Sequence, residues 1–401
     1  MEKPTELFTP EFLQNPHPTY AWLRDNDPVH ACVFPYGNVP MWMVTRYADV
    51  RTLLTDDRFS TDSSYASSEF KDAGLTLGRG TEMEFSLPLV DPPQHTRIRR
   101  LAMSAFTASA VTRWEEAARA ETDILLNQLA RNADAELVTQ YTTILPSAVI
   151  GRILGVPPED RQYVLRQTQA VTSVEAEAAK QVPEAMRKLM DYARGLVNAR
   201  RESRGDDLVS RLVAAEEEND GRLSEAELVA TLGILVLAGY ETTQNLIGNA
   251  LAALFEFPDQ YPALTAPEIG PARAVEEFIR YQGGIQWASF RFAREELEFG
   301  GTRLPAGAVV VPVLLSANRD ASIWDEPDRL ILGRNGPRHV GFGHGIHNCI
   351  GASLARLQSR IGISAILTRF PQMKLAVPHE SLIYRPSLLT RGLSELPVTL
   401  F

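Results

Sequence analysis

The segment HVGFGHGIHNCIG, residues 339–351, concentrates side chains that can do chemistry. It holds Cys349, one of only two cysteines in the chain, together with three histidines and several glycines. The apolar periodicity from Ile350 to Phe370 predicts a helix that begins just after this cysteine. Exposed N–H groups and the positive end of a helix dipole favour a thiolate over a thiol, and the thiolate is the form that binds metal. Gly351 leaves room for a flat group against the loop.

Three kinds of chemistry remain open for this sulfur from the residues alone. A zinc site can be drawn with His344 and His347, although the chain has no second cysteine pair to complete it. A cysteine nucleophile requires a neighbouring base, for which His347 is a candidate. The third possibility is an axial ligand to haem iron. A phosphate-binding loop is disfavoured, because the glycine spacing fits neither the dinucleotide fingerprint nor the P-loop.

A second distinctive stretch lies inside a long predicted helix. Ser224 and Glu227 form a capping box, and the apolar run that follows continues until Pro258 ends it. About thirty residues, rising roughly 1.5 Å each, predict a rod of roughly 45 Å. Since the run is apolar on nearly every side, the helix is expected to be buried.

Polar residues interrupt the middle of this buried helix. Glu241, Thr242 and Thr243 follow one another there, and buried polar groups require partners. Threonine hydroxyls that bond the preceding turn are the structural explanation, and a chemical role for the polar groups is the alternative. Gly239 weakens a helix interior by about 1 kcal/mol relative to Ala, which predicts the close approach of another group at this position.

The secondary structure predicted for the rest of the chain is mainly helical. Helical periodicity is clear at Val111–Leu129, Pro183–Glu202 and Ile350–Phe370. Strand patterns are short and lie towards the two ends, at Trp42–Thr45 and within residues 296–313, where glycines and a proline punctuate β-branched runs. The expected fold class is therefore mostly α with small β-sheets.

Composition limits the classes of protein. A chain of 401 residues with 44% hydrophobic and 22% charged residues can bury a large core, and no linker divides it, so one domain over residues 1–401 is expected. A formal net charge of −10 argues against general nucleic-acid binding. Cys32 and Cys349 form no disulfide framework, and the start MEKPTELFTP has no secretion-signal pattern. Together with the lack of a long apolar span, these features predict a soluble cytoplasmic protein.

The stretch FGHGIHNCIG resembles the haem-binding loop of the cytochrome P450 haem-thiolate monooxygenases. Three further motifs of that family agree in order along the chain. AGYETT resembles the oxygen-activating stretch of the central helix, DPPQHTRIRR the helix whose His and Arg hold the haem, and EEFIR with the later EPDRL the Glu-Arg-Arg structural cluster. The resemblance implies the cytochrome P450 fold, a triangular prism with a long central helix over the haem.

The resemblance also assigns roles to individual residues. Cys349 is implied as the thiolate ligand of the iron, and Phe342 as its neighbour on the sulfur side. Further haem contacts are implied for Ala238 and Gly351, and contacts to the haem propionates for His95, Arg99, Arg291 and His347. The structural cluster is implied to consist of Glu277, Arg280 and Arg329.

Two residues of the central helix are implied to be catalytic. Bound dioxygen must receive two protons while one oxygen atom leaves as water. By resemblance, Thr242 holds the hydrogen bond on the oxygen side, and Glu241 connects it to solvent. Candidate substrate contacts, taken from the places where related chains contact their substrates, are Phe85, Leu87, Leu235, Trp287, Ala288, Ser289 and Leu388. A place in the hydrophobic core is the alternative for each of them. Trp287 offers a ring on which a planar substrate can stack.

The implied activity is oxidation of a small organic molecule by hydroxylation, epoxidation or oxidative coupling, in bacterial secondary metabolism. The implied cofactor is haem b, with dioxygen as co-substrate and electrons from NAD(P)H through a ferredoxin with its reductase or a flavodoxin-type partner. A monomer without membrane or nucleic-acid partners is expected. A basic docking face is expected from Arg97, Arg100, Arg338, Arg356 and Arg360. The alternatives are a haem-binding sensor or carrier without turnover, and a cysteine-dependent hydrolase that uses Cys349 and His347.

Overall fold

The computed structural model describes residues 7–76, 78, 80–104, 108–172, 181–218, 223–264, 266 and 268–401. The helices are α1 Pro10–Gln14, α2 His17–Asn26, α3 Tyr47–Leu53, α4 Ser68–Asp72, α5 Gln94–Ser104, α6 Ala108–Leu129, α7 Ile144–Leu154, α8 Arg161–Thr172, α9 Val182–Glu202, α10 Leu208–Glu218, α11 Glu225–Glu256, α12 Gly270–Gln282, α13 Leu314–Ala317 and α14 Ala352–Arg369. The strands are β1 Val29–Phe34, β2 Val39–Val44, β3 Phe59–Ser60, β4 Asp134–Glu136, β5 Arg291–Ala293, β6 Leu297–Phe299, β7 Thr302–Leu304, β8 Val309–Pro312, β9 Lys374–Leu375 and β10 Pro397–Thr399. The predicted class, mostly α with small sheets, is confirmed.

The chain forms two compact units. The first contains Met1–Thr76, Asn245–Cys349 and Lys374–Val398. The second contains Leu77–Gln244, Ile350–Met373 and Thr399–Phe401. One domain over residues 1–401 stays a prediction.

A five-stranded sheet organises the first unit, in the order β1-β2-β8-β5-β3. Strand β8 runs parallel to β2, with Met41 opposite Val309, and antiparallel to β5. Alternate side chains of β8 enter two different hydrophobic clusters, since Val310 lies in one cluster and Val309 and Val311 lie in the other. Both faces of the sheet are therefore covered, which explains why this strand reads as an unbroken β-branched run.

Packed helices make up most of the second unit. Helix α6 packs against α7 and α14, and α8 packs against α9. Buried Tyr141 donates its hydroxyl to the carbonyl oxygen of Gly362 in α14 at 2.8 Å. The three helices predicted from periodicity are all present, and their observed bounds differ from the predicted ones by at most three residues.

Helix α11 confirms the predicted long helix, with 32 residues from Glu225 to Glu256. The capping box is also confirmed, since the Ser224 amide donates to the Glu227 carboxylate at 2.9 Å and the Glu227 amide donates to the Ser224 hydroxyl at 3.2 Å. By length and composition the helix is apolar enough to cross a membrane. However, 72% of its most apolar 18-residue window is buried within the protein, as in the core helix of a globular protein.

Candidate active site

Cys349 has an exposed side chain in the loop of residues 339–351. Its backbone amide donates to the carbonyl oxygen of Phe342 at 2.9 Å, which closes the loop on itself. Gly343 and Gly345 have φ values of 73° and 72°, a conformation that favours glycine. A Cβ atom on Gly345 would also lie 2.7 Å from the carbonyl oxygen of Leu54. These glycines are therefore required by the backbone path that presents the sulfur.

The donor set of this loop fits a haem better than a protein-bound zinc ion. Across residues 7–401, apart from the gaps given above, no three His, Cys, Asp or Glu side chains come together to hold a metal ion. The zinc site considered with His344 and His347 is therefore not formed. A single exposed thiolate can ligate a metal only if the remaining ligands come from another molecule, and a porphyrin supplies them through its four nitrogens.

The middle of helix α11 has one open face in an otherwise buried helix. Ala238 is exposed and Thr242, four residues later, is partly exposed, so the two lie on the same face. The Thr242 hydroxyl donates to the carbonyl oxygen of Ala238 at 2.9 Å. This bond uses the hydroxyl proton, and the lone pairs of the oxygen remain available to accept a hydrogen bond at the open face. Glu241 is only 5% exposed and belongs to the buried part of the helix.

Gly239 explains how α11 and α7 approach each other. A Cβ atom at this position would lie 3.1 Å from Cγ1 of Ile150 in α7. The predicted close approach is confirmed, and it is made by a neighbouring helix of the second unit. The low helix propensity of Gly239 is therefore explained by the close packing of α11 against α7 at this position.

Helix α5 presents His95 and Arg99, four residues apart, on one face. His95 is buried at 1% exposure and Arg99 is partly exposed. The adjacent face is attached to the start of α11, because Gln94 donates to the Glu227 carboxylate at 2.9 Å and Arg97 donates to it at 2.8 Å. Both residues expected at the haem propionates thus belong to a helix that is anchored by a buried carboxylate.

Burial alone raises the pKa of Glu227, but hydrogen bonds from Arg97, the Ser224 amide and Gln94 lower it to about 2. The carboxylate is therefore charged at neutral pH. Arg97 and Arg360 were both expected on the basic docking face. Arg97 forms an ion pair with Glu227, and Arg360 lies 3.6 Å from Glu115. These two arginines are less available to a partner than the sequence suggested.

The remaining expected haem contacts in the first unit are Arg291, His347 and Phe342. Arg291 is 4% exposed and donates to the carbonyl oxygens of Ser289 and Phe290 at 2.9 and 3.2 Å. His347 forms the end of a short 3₁₀ turn, two residues before Cys349, and its Nε2 lies 3.5 Å from the Thr61 hydroxyl. Thr61 follows strand β3, and nothing in its sequence context predicted this contact.

The structural cluster contains a different second arginine from the one predicted. Arg280 donates to both oxygens of Glu277 at 2.7 and 2.9 Å, and both side chains are buried, as expected. Arg334, not Arg329, completes the cluster, with its Nε 3.1 Å from the Glu277 carboxylate. The Arg329 side chain is about half exposed and pairs with Asp259 at 3.2 Å. The assignment of Arg329 was therefore wrong.

The backbone explains this exchange. The carbonyl oxygen of Arg329, and not its side chain, faces the cluster, where it accepts hydrogen bonds from Arg280 at 3.1 Å and Arg334 at 2.9 Å. The sequence feature that could have indicated Arg334 is that a second arginine follows Arg329 after five positions, in the segment ILGRNG.

Of the two alternatives for Trp287, substrate contact and core, the structure favours the core. Its ring is 2% exposed, and its indole N–H donates to the Tyr20 hydroxyl at 3.2 Å. The ring also packs against Phe8 and Phe34 at centroid distances of 6.1 and 6.5 Å. Since every one of these contacts lies in the first unit, Trp287 is a core residue there.

The other expected substrate contacts remain predictions. Ala288, Ser289 and Leu388 are partly buried in the first unit, and Leu388 lies against the cluster that contains Trp287. In the second unit Phe85 is 42% exposed, whereas Leu87 and Leu235 are each 8% exposed. Leu87 belongs to a hydrophobic cluster with Val90, Ile98, Leu101 and Leu223.

Known proteins resemble this chain over nearly its whole length. A model of the cytochrome P450 family matches residues 159–266 and 272–386. Vitamin D(3) 25-hydroxylase of Pseudonocardia autotrophica is 40% identical over 395 residues, covering 98% of this chain and 96% of the relative. The cytochrome P450 monooxygenase PikC of Streptomyces venezuelae is 37% identical over 390 residues, covering 97% of this chain and 92% of PikC. A solved myxobacterial cytochrome P450 in complex with myristic acid has a TM-score of 0.92 at 34% identity, covering 98% of each chain.

These relatives are named as oxygenases, and neither a haem carrier without turnover nor a cysteine-dependent hydrolase is favoured by them. Other relatives are named for polyketide biosynthesis in Bacillus subtilis and for N-oxygenation of nocardicin C in Nocardia uniformis. The chain belongs to the cytochrome P450 family, as a bacterial monooxygenase of secondary metabolism that uses haem iron, dioxygen and electrons from a redox partner to oxidise a small organic molecule.

Proposed function

We propose that this monooxygenase would hold haem b through the sulfur of Cys349, which would ligate the iron. The observation that carries the proposal is the exposed thiol, presented by a loop whose glycine conformations and backbone hydrogen bond leave the sulfur accessible. When bound, the haem supplies the iron at which dioxygen is reduced and cleaved, and thiolate ligation favours that cleavage. Phe342 and Gly351 flank the sulfur along the chain and contact the cofactor on the same side.

Four basic side chains hold the two propionates in this proposal. They are His95, Arg99, Arg291 and His347. Burial of a carboxylate is costly unless charged or hydrogen-bonding groups meet it, and arginine and histidine are suited to this. Arg291 is already oriented by its bonds to the Ser289 and Phe290 carbonyls, so part of the entropy cost of ordering this side chain is met before the cofactor binds.

Thr242 and Glu241 manage protons at the open face of α11. Thr242 accepts a hydrogen bond there, because its own proton is held by the Ala238 carbonyl. Glu241 passes protons towards that face from the buried side of the helix, where it is 5% exposed. Ala238 presents only a methyl group and so leaves space for the cofactor and dioxygen beside Thr242.

The substrate is a largely apolar small molecule. Support comes from the apolar candidates Phe85, Leu87, Leu235, Ala288 and Leu388, with Ser289 as the polar exception. Relatives are named for vitamin D(3) and mycinamicin IV, and related structures hold myristic acid and tirandamycin C. These molecules share extensive apolar surface, which suits pockets lined mainly by hydrophobic side chains.

Electrons come from NAD(P)H through a ferredoxin with its reductase or a flavodoxin-type protein, and the enzyme acts as a cytoplasmic monomer. No disulfide joins Cys32 and Cys349, which suits a reducing compartment. Partner docking uses the exposed side chains of Arg51 and Arg338. Both residues contact Tyr47. The Tyr47 hydroxyl donates to the backbone carbonyl of Arg338 at 2.7 Å, and the Arg51 guanidinium lies 5.5 Å from the centre of the Tyr47 ring. Arg51 also lies 3.4 Å from His344 of the cysteine loop.

The ligand assignment is tested by reducing the purified protein under carbon monoxide and recording its absorption spectrum. The wild-type protein should show the red-shifted band of thiolate ligation, and Cys349→Ser should lose it while keeping the fold by circular dichroism. Cys32→Ser is the matched control and should leave the band unchanged, because burial raises the pKa of the Cys32 thiol to about 12. A Cys349→Ser protein that retains the band would falsify the assignment.

A further inference from the structure

His339 lies at the start of the loop that carries Cys349 and makes two hydrogen bonds of different kinds. Its Nδ1 atom accepts the backbone N–H of Gly341 at 3.1 Å. Its Nε2 atom lies 3.2 Å from the carboxylate of Glu276 in α12. The histidine side chain is 7% exposed, whereas that of Glu276 is 43% exposed.

These contacts specify the tautomer of the imidazole ring. An Nδ1 that accepts an amide N–H carries no proton, so the ring proton of the neutral histidine is on Nε2. That proton faces the Glu276 carboxylate, which stabilises the same tautomer, and the two hydrogen bonds together limit rotation of the ring.

The segment held by His339 is packed closely against α12. A Cβ atom on Gly341 would lie 2.4 Å from Cγ2 of Ile279, so only glycine allows the backbone to pass at this point. The Val340 amide next to it donates to the Asn318 side-chain oxygen at 2.8 Å. Residues 339–341 are thus attached to α12 and to Asn318 by both side-chain and backbone contacts.

Two backbone hydrogen bonds lie between this segment and the backbone of Cys349. The Gly343 amide donates to the Val340 carbonyl at 2.7 Å, and the Cys349 amide donates to the Phe342 carbonyl at 2.9 Å. The His339 and Phe342 rings are also in contact, with centroids 5.9 Å apart. A change at His339 therefore alters the peptide whose carbonyl holds the amide of the ligand residue.

We propose that His339, oriented by Glu276, is a positioning residue for the cysteine loop and determines how uniformly the sulfur is held for ligation. The proposal rests on the assignment of Cys349 as the haem ligand. His339 acts through Gly341 and Phe342 and itself touches neither substrate nor cofactor. Neither residue belongs to the Glu277–Arg280–Arg334 cluster, although Glu276 is its neighbour in sequence.

The test compares wild-type holoenzyme with His339→Phe, which keeps a ring of similar size and removes both hydrogen bonds. The share of the reduced carbon monoxide complex that shows the red-shifted band should fall at least twofold. Amide hydrogen exchange of a peptide covering residues 339–350 should accelerate about fivefold, as the loss of one hydrogen bond implies. Exchange elsewhere and the urea midpoint of unfolding should stay close to wild type.

Glu276→Gln provides a second, milder variant, because its amide oxygen can still accept the Nε2 proton. It should retain most of the red-shifted band, whereas Glu276→Ala should approach His339→Phe. His30→Phe is the matched control, since His30 makes a similar pair with Asp27 at 2.7 Å on strand β1. It should leave the spectrum and the exchange of residues 339–350 unchanged.

The possible outcomes separate the two proposals. A wild-type protein without the red-shifted band overturns the ligand assignment and this inference with it. A wild-type protein with the band, together with His339→Phe and Glu276→Ala proteins that match it in spectrum and exchange, overturns this inference alone. A loss of band in His30→Phe equal to that in His339→Phe also overturns it, because the effect would then reflect general destabilisation.

Discussion

The Nε atom of Arg334 lies 3.1 Å from the Glu277 carboxylate, so Arg334 and Arg280 share one buried anion. Arg334 also donates to the backbone carbonyls of Glu326 and Arg329 at 3.0 and 2.9 Å. This single side chain therefore joins α12 to the segment that follows α13. Its role distinguishes it from Arg329, whose guanidinium is half exposed.

Replacement of Arg334 by Ala should destabilise the protein far more than replacement of Arg329. Arg334→Ala leaves Glu277 with one arginine fewer in a buried site, and breaking a buried pair costs about 3–5 kcal/mol. Arg329→Ala removes an exposed pair and should cost about 0–1 kcal/mol. Urea denaturation of the two variants measures the difference, and equal losses would show that the cluster assignment is incorrect.

Thr242→Ala should uncouple NAD(P)H consumption from product formation, so that less product is made for each NAD(P)H consumed. The substitution removes the Thr242 hydroxyl oxygen from the open face of α11, so proton delivery there would be impaired and more of the oxygen consumed should appear as hydrogen peroxide. We expect product per NAD(P)H consumed to fall roughly 10-fold or more. The thermal midpoint should change little, because the lost hydrogen bond lies within the helix.

Thr242→Ser is the matched control for this experiment, because it keeps the hydroxyl and removes only a methyl group. Its product yield should stay close to wild type. Equal yields from the Ala and wild-type proteins would rule out a role for the hydroxyl in proton handling.

Trp287→Phe should reduce stability without changing substrate affinity. The substitution removes the indole donor to the Tyr20 hydroxyl, which corresponds to about 1 kcal/mol in the free energy of unfolding. Tyr20→Phe should have a similar effect, and the double variant should be less destabilised than the sum because the two groups share one bond. Substrate affinity, measured from the spin-state change of the haem, should be unaltered. A large loss of affinity in Trp287→Phe would restore Trp287 to the substrate pocket.

The ion pair that anchors α5 should lose its effect in acid. Glu227 has its pKa lowered to about 2 from an ordinary value of 4.5, so its charged form stabilises the folded state. That stabilisation is complete above about pH 5 and is lost as the pH falls through 4.5 towards 2. Urea denaturation of wild-type and Glu227→Gln proteins at several pH values should give a difference in free energy that closes over this range. A difference independent of pH would contradict the ion-pair explanation.

Local patterns predicted the elements well. The capping box at Ser224 and Glu227 and the run up to Pro258 identified α11 within two residues at each end, because caps and breakers act over one helical turn. The glycines around Cys349 likewise predicted an irregular loop before a helix. These signals depend only on neighbours in the chain, and no knowledge of distant contacts was needed.

Contacts between distant segments were harder to predict. Arg329 and Arg334 have the same chemistry and lie five positions apart, and the backbone path decides that Arg329 presents its carbonyl to the cluster whereas Arg334 presents its side chain to Glu277. The pairing of His339 with Glu276 could not be read from spacing either, since the two residues are 63 positions apart. The hydrophobic periodicity of a helix or strand does not indicate which residues far apart in the chain come into contact.

From the amino-acid sequence we could predict the mostly α fold class, the long buried helix, membership of the cytochrome P450 family and the cysteine that takes part in the chemistry, Cys349. The folded structure was needed to show that Trp287 fills a core beside Tyr20, that Arg334 completes the buried cluster, and that Arg97 is held by Glu227. The physical reason is that hydrogen bonding and burial select among chemically equivalent side chains by their direction in space, and direction is set only when distant segments pack together.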